Sequence, residues 1–402
     1  MNRESVETSW LAVWAAVGCG IGGAINVGKV PMAMDLLRQE FGLSLVTAGW
    51  VASMLSTLAV FSALFIGVVC DRIGHLRMTG IGLAVSIAAT LAGLLVHDSG
   101  GLLLTRFGEG VGFLIVVIAA PGLVSTAANS ADRRFALGIW ATYLPTGVGL
   151  TMLVAPILLP LWGWRSLWWL SIVCLAIAGL AIYRLRQAYA GHPADSPHSM
   201  SDVTSAVLDL MPWLLGIVFC CWAIQYFALI VWLPTFLEEQ YDLSQGMVGL
   251  LCTAVVFVHA PGNLVGGALV KHHYRRGTLI VFAGIVTTLL SCVVYLDLLP
   301  DPLRYLACLT LSFSGGLISA SVLSSTEALA KTRRQIGTLQ GLFIQCAHLG
   351  QFIGPPLIAL LVSRSGLWQD ALWVTGTAAG FSILLGMAIH RREGRSLLAA
   401  GS

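Results

Sequence analysis

Met211-Pro-Trp-Leu-Leu-Gly-Ile-Val-Phe-Cys220-Cys-Trp-Ala-Ile-Gln225-Tyr-Phe-Ala-Leu-Ile-Val-Trp-Leu-Pro-Thr235-Phe-Leu237 contains no Asp, Glu, Lys or Arg. About 20 apolar residues in a helix cross the roughly 30 Å hydrocarbon core of a bilayer, and this run exceeds that. Backbone groups in lipid must be satisfied within the segment, so the run predicts a helix; no alternating pattern suggests a barrel strand. Eleven similar runs accompany it, bounded by charges, Gly/Pro or polar clusters. The twelve cover 10–36, 46–69, 79–97, 101–125, 135–160, 164–183, 211–237, 246–270, 277–297, 302–328, 335–363 and 367–390. Most are rich in Gly, Ala and Ser, which let membrane helices approach closely.

Composition agrees. Of 402 residues, 57% are hydrophobic and 10% charged, with a mean hydropathy of +0.85. A soluble domain carries about 25% charged residues, so a soluble globule or a disordered chain is excluded. A net charge of +3 is far too small for a nucleic-acid binder. The nine cysteines lie inside or at the edges of helices, with neither a disulfide framework nor a metal spacing. They read as small apolar fillers. Glu4 and Glu7 follow Arg3, which does not fit a signal peptide.

Basic residues in short loops set orientation. Sixteen of the 22 Lys and Arg residues, among them Arg72, Arg77, Arg133, Arg134, Lys271, Arg275 and Arg391, fall on the side shared by both ends of the chain. Arg38, Arg165, Arg304 and Arg364 fall on the other side, and Lys29 and Arg106 fall inside runs. Both termini are therefore expected in the cytoplasm, at a plasma membrane such as the bacterial inner membrane. Trp10, Trp162, Trp164, Trp168, Trp213 and Trp368 lie near run ends, where an interfacial aromatic belt is expected.

The longest non-apolar stretch, 184–210, separates residues 1–183 from 211–402. It has a linker composition around His192, Pro193 and Pro197; Val203, Ala206, Val207 and Leu210 suggest a short interfacial helix at its end, and a plain linker fits as well. A shift of 200 residues aligns the halves. Leu43-Ser44 meets Leu243-Ser244, Gly49 meets Gly249, Gly67 meets Gly267, Arg133-Arg134 meets Arg333-Arg334, Pro156 meets Pro356 and Trp168 meets Trp368. A duplicated six-helix unit is the plan of transporters with parallel repeats, whose solute site lies near the membrane midplane. The fold expected is an all-α integral membrane protein of twelve transmembrane helices in two pseudo-symmetric six-helix bundles.

The loop after the second run reads Gly67-Val-Val-Cys-Asp71-Arg72-Ile-Gly74-His75-Leu76-Arg77. It resembles the G-x-x-x-D-[RK]-x-G-[RK]-[RK] signature of the major facilitator superfamily, with His75 where a basic residue is usual. The second-half counterpart, 267–276, keeps the glycine and the positive charge but has Lys271 where the acid would stand. Arg106-Phe-Gly108-Glu109-Gly110-Val-Gly112 is similar to the family's R-x-x-Q-G-x-G pattern, with Glu109 for Gln. Gly138, Pro145, Gly147, Gly149 and Pro156 do not follow the G-x-x-x-G-P-x-x-G-G spacing of the family's drug/proton antiporters. Gly28-Lys29-Val30-Pro31 and Trp164-Arg165 look like the cyanate permease and 2-nitroimidazole transporter branch. The resemblance implies alternating access, with Gly67, Asp71, Arg72, Gly74 and Arg77 as a gating loop. A carboxylate such as Asp71 gains about 0.3–1 kcal/mol at a helix N-terminus, and the eleventh helix, starting near Gln335, is the expected acceptor. That contact would favour the outward-facing state.

An ionisable residue at the midplane costs about 2.5–3.5 kcal/mol even on the milder scale, so each needs a partner or a task. Lys29 shares a helix face with Asn26, and Arg106 lies three residues before Glu109 and can pair with it. That pairing would leave Lys29 uncompensated in a net-positive cavity, favouring an anionic or strongly polar small solute. Further candidates for the solute site are Tyr143, Gln225, Tyr226, His259, Asn263 and His348. Glu109, His259 and His348 are candidates to carry a coupled proton, histidine because it titrates near neutral pH. Gln345, His348 and Gln351 share one face of the eleventh helix. No nucleophile–base set, metal cluster or phosphate loop argues for an enzyme, and no cofactor is expected. The expectation is a monomer importing a small anion with protons; the alternative is proton-driven efflux of drugs or toxic metabolites.

Overall fold

Charges, glycines and prolines punctuate the apolar runs, and the helices of the computed structural model follow those stops with local departures. Residues 7–189, 208–241 and 243–400 are described by the structure. Among them there is no strand, and twelve helices are long and apolar enough to cross a membrane. In chain order they are α1 (Trp10–Phe41), α2 (Leu45–Ser53, a 3-10 turn at Met54–Ser56, then Thr57–Ile73), α3 (His75–Gly93) and α4 (Ser99–Ala127). Next come α5 (Arg133–Trp140 and Tyr143–Trp162), α6 (Arg165–Arg184), α7 (Leu210–Tyr241) and α8 (Gln245–Lys271). The last four are α9 (Arg276–Tyr295), α10 (Asp301–Leu323 and Ser325–Leu329), α11 (Arg333–Ser365) and α12 (Ala371–Ala400). This is an all-α, multi-pass membrane protein.

The largest boundary difference is in α1, expected to end near residue 36. Arg38 and Glu40 leave the apolar run but remain good helix formers. The helix stops only at Gly42, whose left-handed backbone donates its N–H to the Arg38 carbonyl. After α6, Arg186–Tyr189 forms a 3-10 turn. The buried Tyr189 hydroxyl there donates to the Ala12 carbonyl at 2.8 Å, and burial raises the pKa of the phenol. The interfacial helix expected over Val203–Leu210 lies largely outside the described residues.

Two compact units emerge: Met1–Leu43 with Met54–Pro197, and Ser44–Ser53 with His198–Ser402. In the first, α1 packs on α4, α5 and α6, and α3 on α4 and α6. Its core is built from small side chains such as Ala12, Ala16, Ala120 and Ala178 around Val116, Leu123 and Leu175, the composition that brings membrane helices close. The second repeats the scheme: α7 packs on α11 and α12, and α9 on α10 and α12. Ser44 and Ser244 each stand ahead of the second helix of a repeat and accept a backbone N–H there, from Thr47 and Met247. The opening turn of α2 groups with the second unit: Ser53 Oγ donates to the Gln351 carbonyl at 3.1 Å, and Trp50 packs on Phe352.

The link between α2 and α3 is a single residue, Gly74, at φ 96°. That conformation strains any side chain, which explains a glycine at this place in the motif. The corresponding turn after α8 also enters the left-handed region, but at His273, φ 62°.

Candidate functional site: a buried charge cluster in the first unit

Asp98 starts α4 by accepting the Gly101 N–H at 2.9 Å. Two turns later Arg106 and Glu109 share a helix face, and their side chains form an ion pair. Lys29 arrives from α1, where its Nζ donates to Glu109 Oε1 at 2.7 Å and to Asn26 Oδ1 at 2.7 Å. Asn26 Oδ1 also accepts from Ser171 Oγ of α6 at 2.8 Å. The Trp168 ring, one turn earlier on α6, lies under the ammonium, 4.1 Å from its centroid. Lys29, Arg106 and Glu109 are each 0% exposed, so the cluster is sealed from water.

The expectation of an uncompensated Lys29 is therefore corrected. One carboxylate serves two cations, because α1 and α4 place Lys29 beside Glu109 Oε1 while Arg106 pairs with Oε2. The formal balance still carries one excess positive charge. Trp168 is corrected too: expected in the interfacial belt, it is 0% exposed and supplies a π face to Lys29, a contact worth about 2 kcal/mol when desolvated. Trp164 and Trp368 are also buried, whereas Trp10, Trp162 and Trp213 are exposed. Ser171 and Trp168 escaped sequence reasoning because nothing in their own spacing distinguishes them from packing residues.

Gly110, next to Glu109, has a separate task. A Cβ there would overlap the Leu55 carbonyl of the 3-10 turn in α2, so the glycine lets that turn sit directly on α4. Tyr143 stacks on Trp140 at 4.6 Å and packs near Phe113 in the same unit.

In the second unit the candidates form a separate group. His259 packs against both Tyr226 (4.6 Å) and Trp222 (5.8 Å), which also stack on each other at 5.3 Å, and its Nδ1 meets the Ser312 carbonyl at 2.9 Å. A carbonyl can only accept, so Nδ1 carries a proton and, in the neutral ring, Nε2 is the acceptor. Gln225 Nε2 donates to the Cys221 carbonyl of its own helix at 3.3 Å. Asn263 lies one turn beyond His259 on α8, and His348 is buried on α11. Arg304, expected on the side opposite the termini, is 3% exposed. Its Nε and Nη2 donate to the Val294 carbonyl at 3.1 and 3.0 Å, and its Nη1 to Asp297 at 2.7 Å. It ties the α9–α10 turn together.

In the motif loop, Arg72 and Arg77 are exposed. The side chain of Asp71, expected to meet the start of the eleventh helix, lies outside the described residues. Gln335 at that start accepts the Lys331 N–H at 2.8 Å.

Residues 15–345 match the family described as the Major Facilitator Superfamily. The chain belongs to the major facilitator superfamily. Its members are transporters of small solutes and not enzymes. A probable sulfoacetate transporter of Cupriavidus necator is 22% identical over 90% of this chain and 89% of its own length. The cis,cis-muconate transport protein of Acinetobacter baylyi is 24% identical over 83% of each chain. Among solved structures, a bacterial homolog of the human lysosomal transporter Spinster, in an inward-facing and occupied conformation, superposes with a TM-score of 0.78 at 14% identity. The match covers 96% of this chain and 97% of that one. That likeness shows the major facilitator fold.

Proposed function

We propose that this transporter imports a small organic anion together with protons. The observation that carries the reading is the Lys29–Glu109–Arg106 cluster: two cations and one carboxylate, sealed at membrane depth with one positive charge in excess. Such a set is costly in lipid and is retained where it has a task. An anionic group reaching Lys29 and Arg106 competes with Glu109 for them. A carboxylate that loses its cations in a dry site gains affinity for a proton. Solute binding and protonation of Glu109 thus favour one another, and the same carboxylate re-forms both ion pairs once solute and proton have left. The sulfoacetate and muconate names of two relatives support an anionic solute. The basic loops support a bacterial inner membrane with both termini on its cytoplasmic side, and a single chain is the proposed working unit. Asn26 and Tyr143 in the first unit are further candidate solute contacts, as are Gln225, Tyr226, Asn263 and His348 in the second, with His259 and His348 as further candidate proton carriers. The loop Gly67, Asp71, Arg72, Gly74 and Arg77 gates the exchange between states.

The test is uptake into proteoliposomes, with sulfoacetate and cis,cis-muconate as probes and an imposed pH gradient. Wild type is expected to accumulate at least one probe, acid outside driving it inward. Lys29→Gln is expected to abolish uptake, and Glu109→Gln to abolish gradient-driven accumulation while leaving exchange of solute for solute. Wild-type uptake in Lys29→Gln would sink the assignment. Extrusion of either anion against the gradient would reverse the direction.

A further inference from the structure

We infer that the second unit carries a binding site for the phosphate headgroup of an anionic phospholipid, built where the α8–α9 turn meets the extension of α12. Two segments far apart in sequence are fastened together there. The Gly277 N–H at the start of α9 donates to Glu393 Oε2 at 3.1 Å, and Thr278 Oγ1 lies 2.9 Å from His390 Nδ1. Arg275 Nη1 approaches His390 Nε2 at 3.5 Å, and Arg276 lies 3.8 Å from Glu393.

These contacts use up the nearest acid. Glu393 sits against a helix N-terminus and an arginine, which satisfies its charge. Glu327, exposed at the end of α10, and Asp209, exposed ahead of α7, are the other acids on this side among the described residues of the unit; Arg276 also reaches the Ser324 carbonyl. Against these three acids stand Lys271, Arg275, Arg276, Arg391 and Arg392, of which all but Arg276 are exposed. Exposed cations held on two fastened segments, at the level where a membrane helix leaves the lipid, match the negative surface of an anionic leaflet. Tyr274, 56% exposed on the same turn, adds an aromatic side chain of the kind enriched at headgroup depth. The left-handed backbone at His273 turns the chain there, so Lys271 and Arg275 flank one tight bend.

The occupant is a lipid and not the transported solute, so the inference stands apart from the transport reading. The full-length protein is reconstituted in nanodiscs of phosphatidylcholine and phosphatidylglycerol in equal parts, then moved to detergent, and retained lipids are counted by native mass spectrometry. Wild type is expected to retain phosphatidylglycerol over phosphatidylcholine, with retention falling as salt rises. Arg391→Gln with Arg392→Gln is expected to weaken the phosphatidylglycerol affinity about fivefold for each charge removed. Arg184→Gln with Arg186→Gln, which removes two exposed cations from the first unit, is expected to leave it unchanged. Equal losses in the two pairs would mean a diffuse positive surface and overturn the site. Equal retention of both lipids by wild type overturns it without any variant.

Discussion

Lys29 and Glu109 are 80 residues apart in sequence and meet at 2.7 Å with neither side chain exposed. Two membrane helices are thus joined by a charge contact that also involves Arg106. The imbalance of the trio orders its mutational costs. Glu109→Gln leaves two buried cations facing one another without their carboxylate, and breaking a buried pair from one side costs about 3–5 kcal/mol. Lys29→Met keeps the volume and leaves a neutral Arg106–Glu109 pair, so its cost is expected to be the smaller by about 2 kcal/mol or more. Thermal unfolding of both variants in the same detergent checks the order; equal losses would show that Lys29 is not held by Glu109.

Trp168 and Lys29 are expected to be energetically coupled. The ammonium lies 4.1 Å from the ring centroid in a fully buried setting, where a cation–π contact is worth about 2 kcal/mol. In a double-mutant cycle of Lys29→Met and Trp168→Leu, the combined loss should fall short of the sum by about that amount. Strict additivity would make Trp168 a packing residue only.

The fold was open to reading because its signal is repetitive. Each of twelve runs separately meets the length rule, and loop charges such as Arg72, Arg133 and Lys271 point the same way. The site was half legible. Arg106 and Glu109 reveal their pairing by an i,i+3 spacing that a helix converts into proximity. Lys29 meets them by tertiary packing of α1 on α4, which no local spacing encodes. The same limit applies to the repeat register. An offset of 200 pairs Trp168 with Trp368, yet it is Trp164 that donates to Glu40 as Trp368 donates to Glu239, at 2.7 and 2.9 Å. Trp164 is thus the counterpart of Trp368 by its contact, and Trp168 lies against Lys29 instead. The Trp164-Arg165 pair, which suggested a narrower branch of the family, binds Glu40 from both residues and so has a structural task of its own.

Arg304 is expected to tolerate no conservative exchange. Its guanidinium divides three donors between the Val294 carbonyl and Asp297, and Asp297 holds a left-handed backbone at φ 51°. A lysine keeps the charge but cannot present that planar fork. Hydrogen bonds to charged groups are worth about 1.5–3 kcal/mol each; Arg304→Lys is expected to lose about 2 kcal/mol, read as a lowered unfolding temperature. An unchanged temperature would mean that the α9–α10 turn stands without it.

Gly74 and His273 predict unequal costs at corresponding turns. Gly74 adopts φ 96° with open space around a built Cβ, so the penalty for a side chain is backbone strain alone, about 1–3 kcal/mol. Gly74→Ala is therefore expected to destabilise the protein with no steric clash to relieve. His273 already occupies the left-handed region at φ 62°, which costs an L-residue about 1 kcal/mol. His273→Gly removes that cost but adds the larger unfolded-state entropy of glycine, about 0.5–1 kcal/mol. The two terms nearly cancel, and the exchange is expected to leave the unfolding temperature close to wild type. A large loss in His273→Gly would show that the imidazole itself, and not the turn, holds α8 to α9.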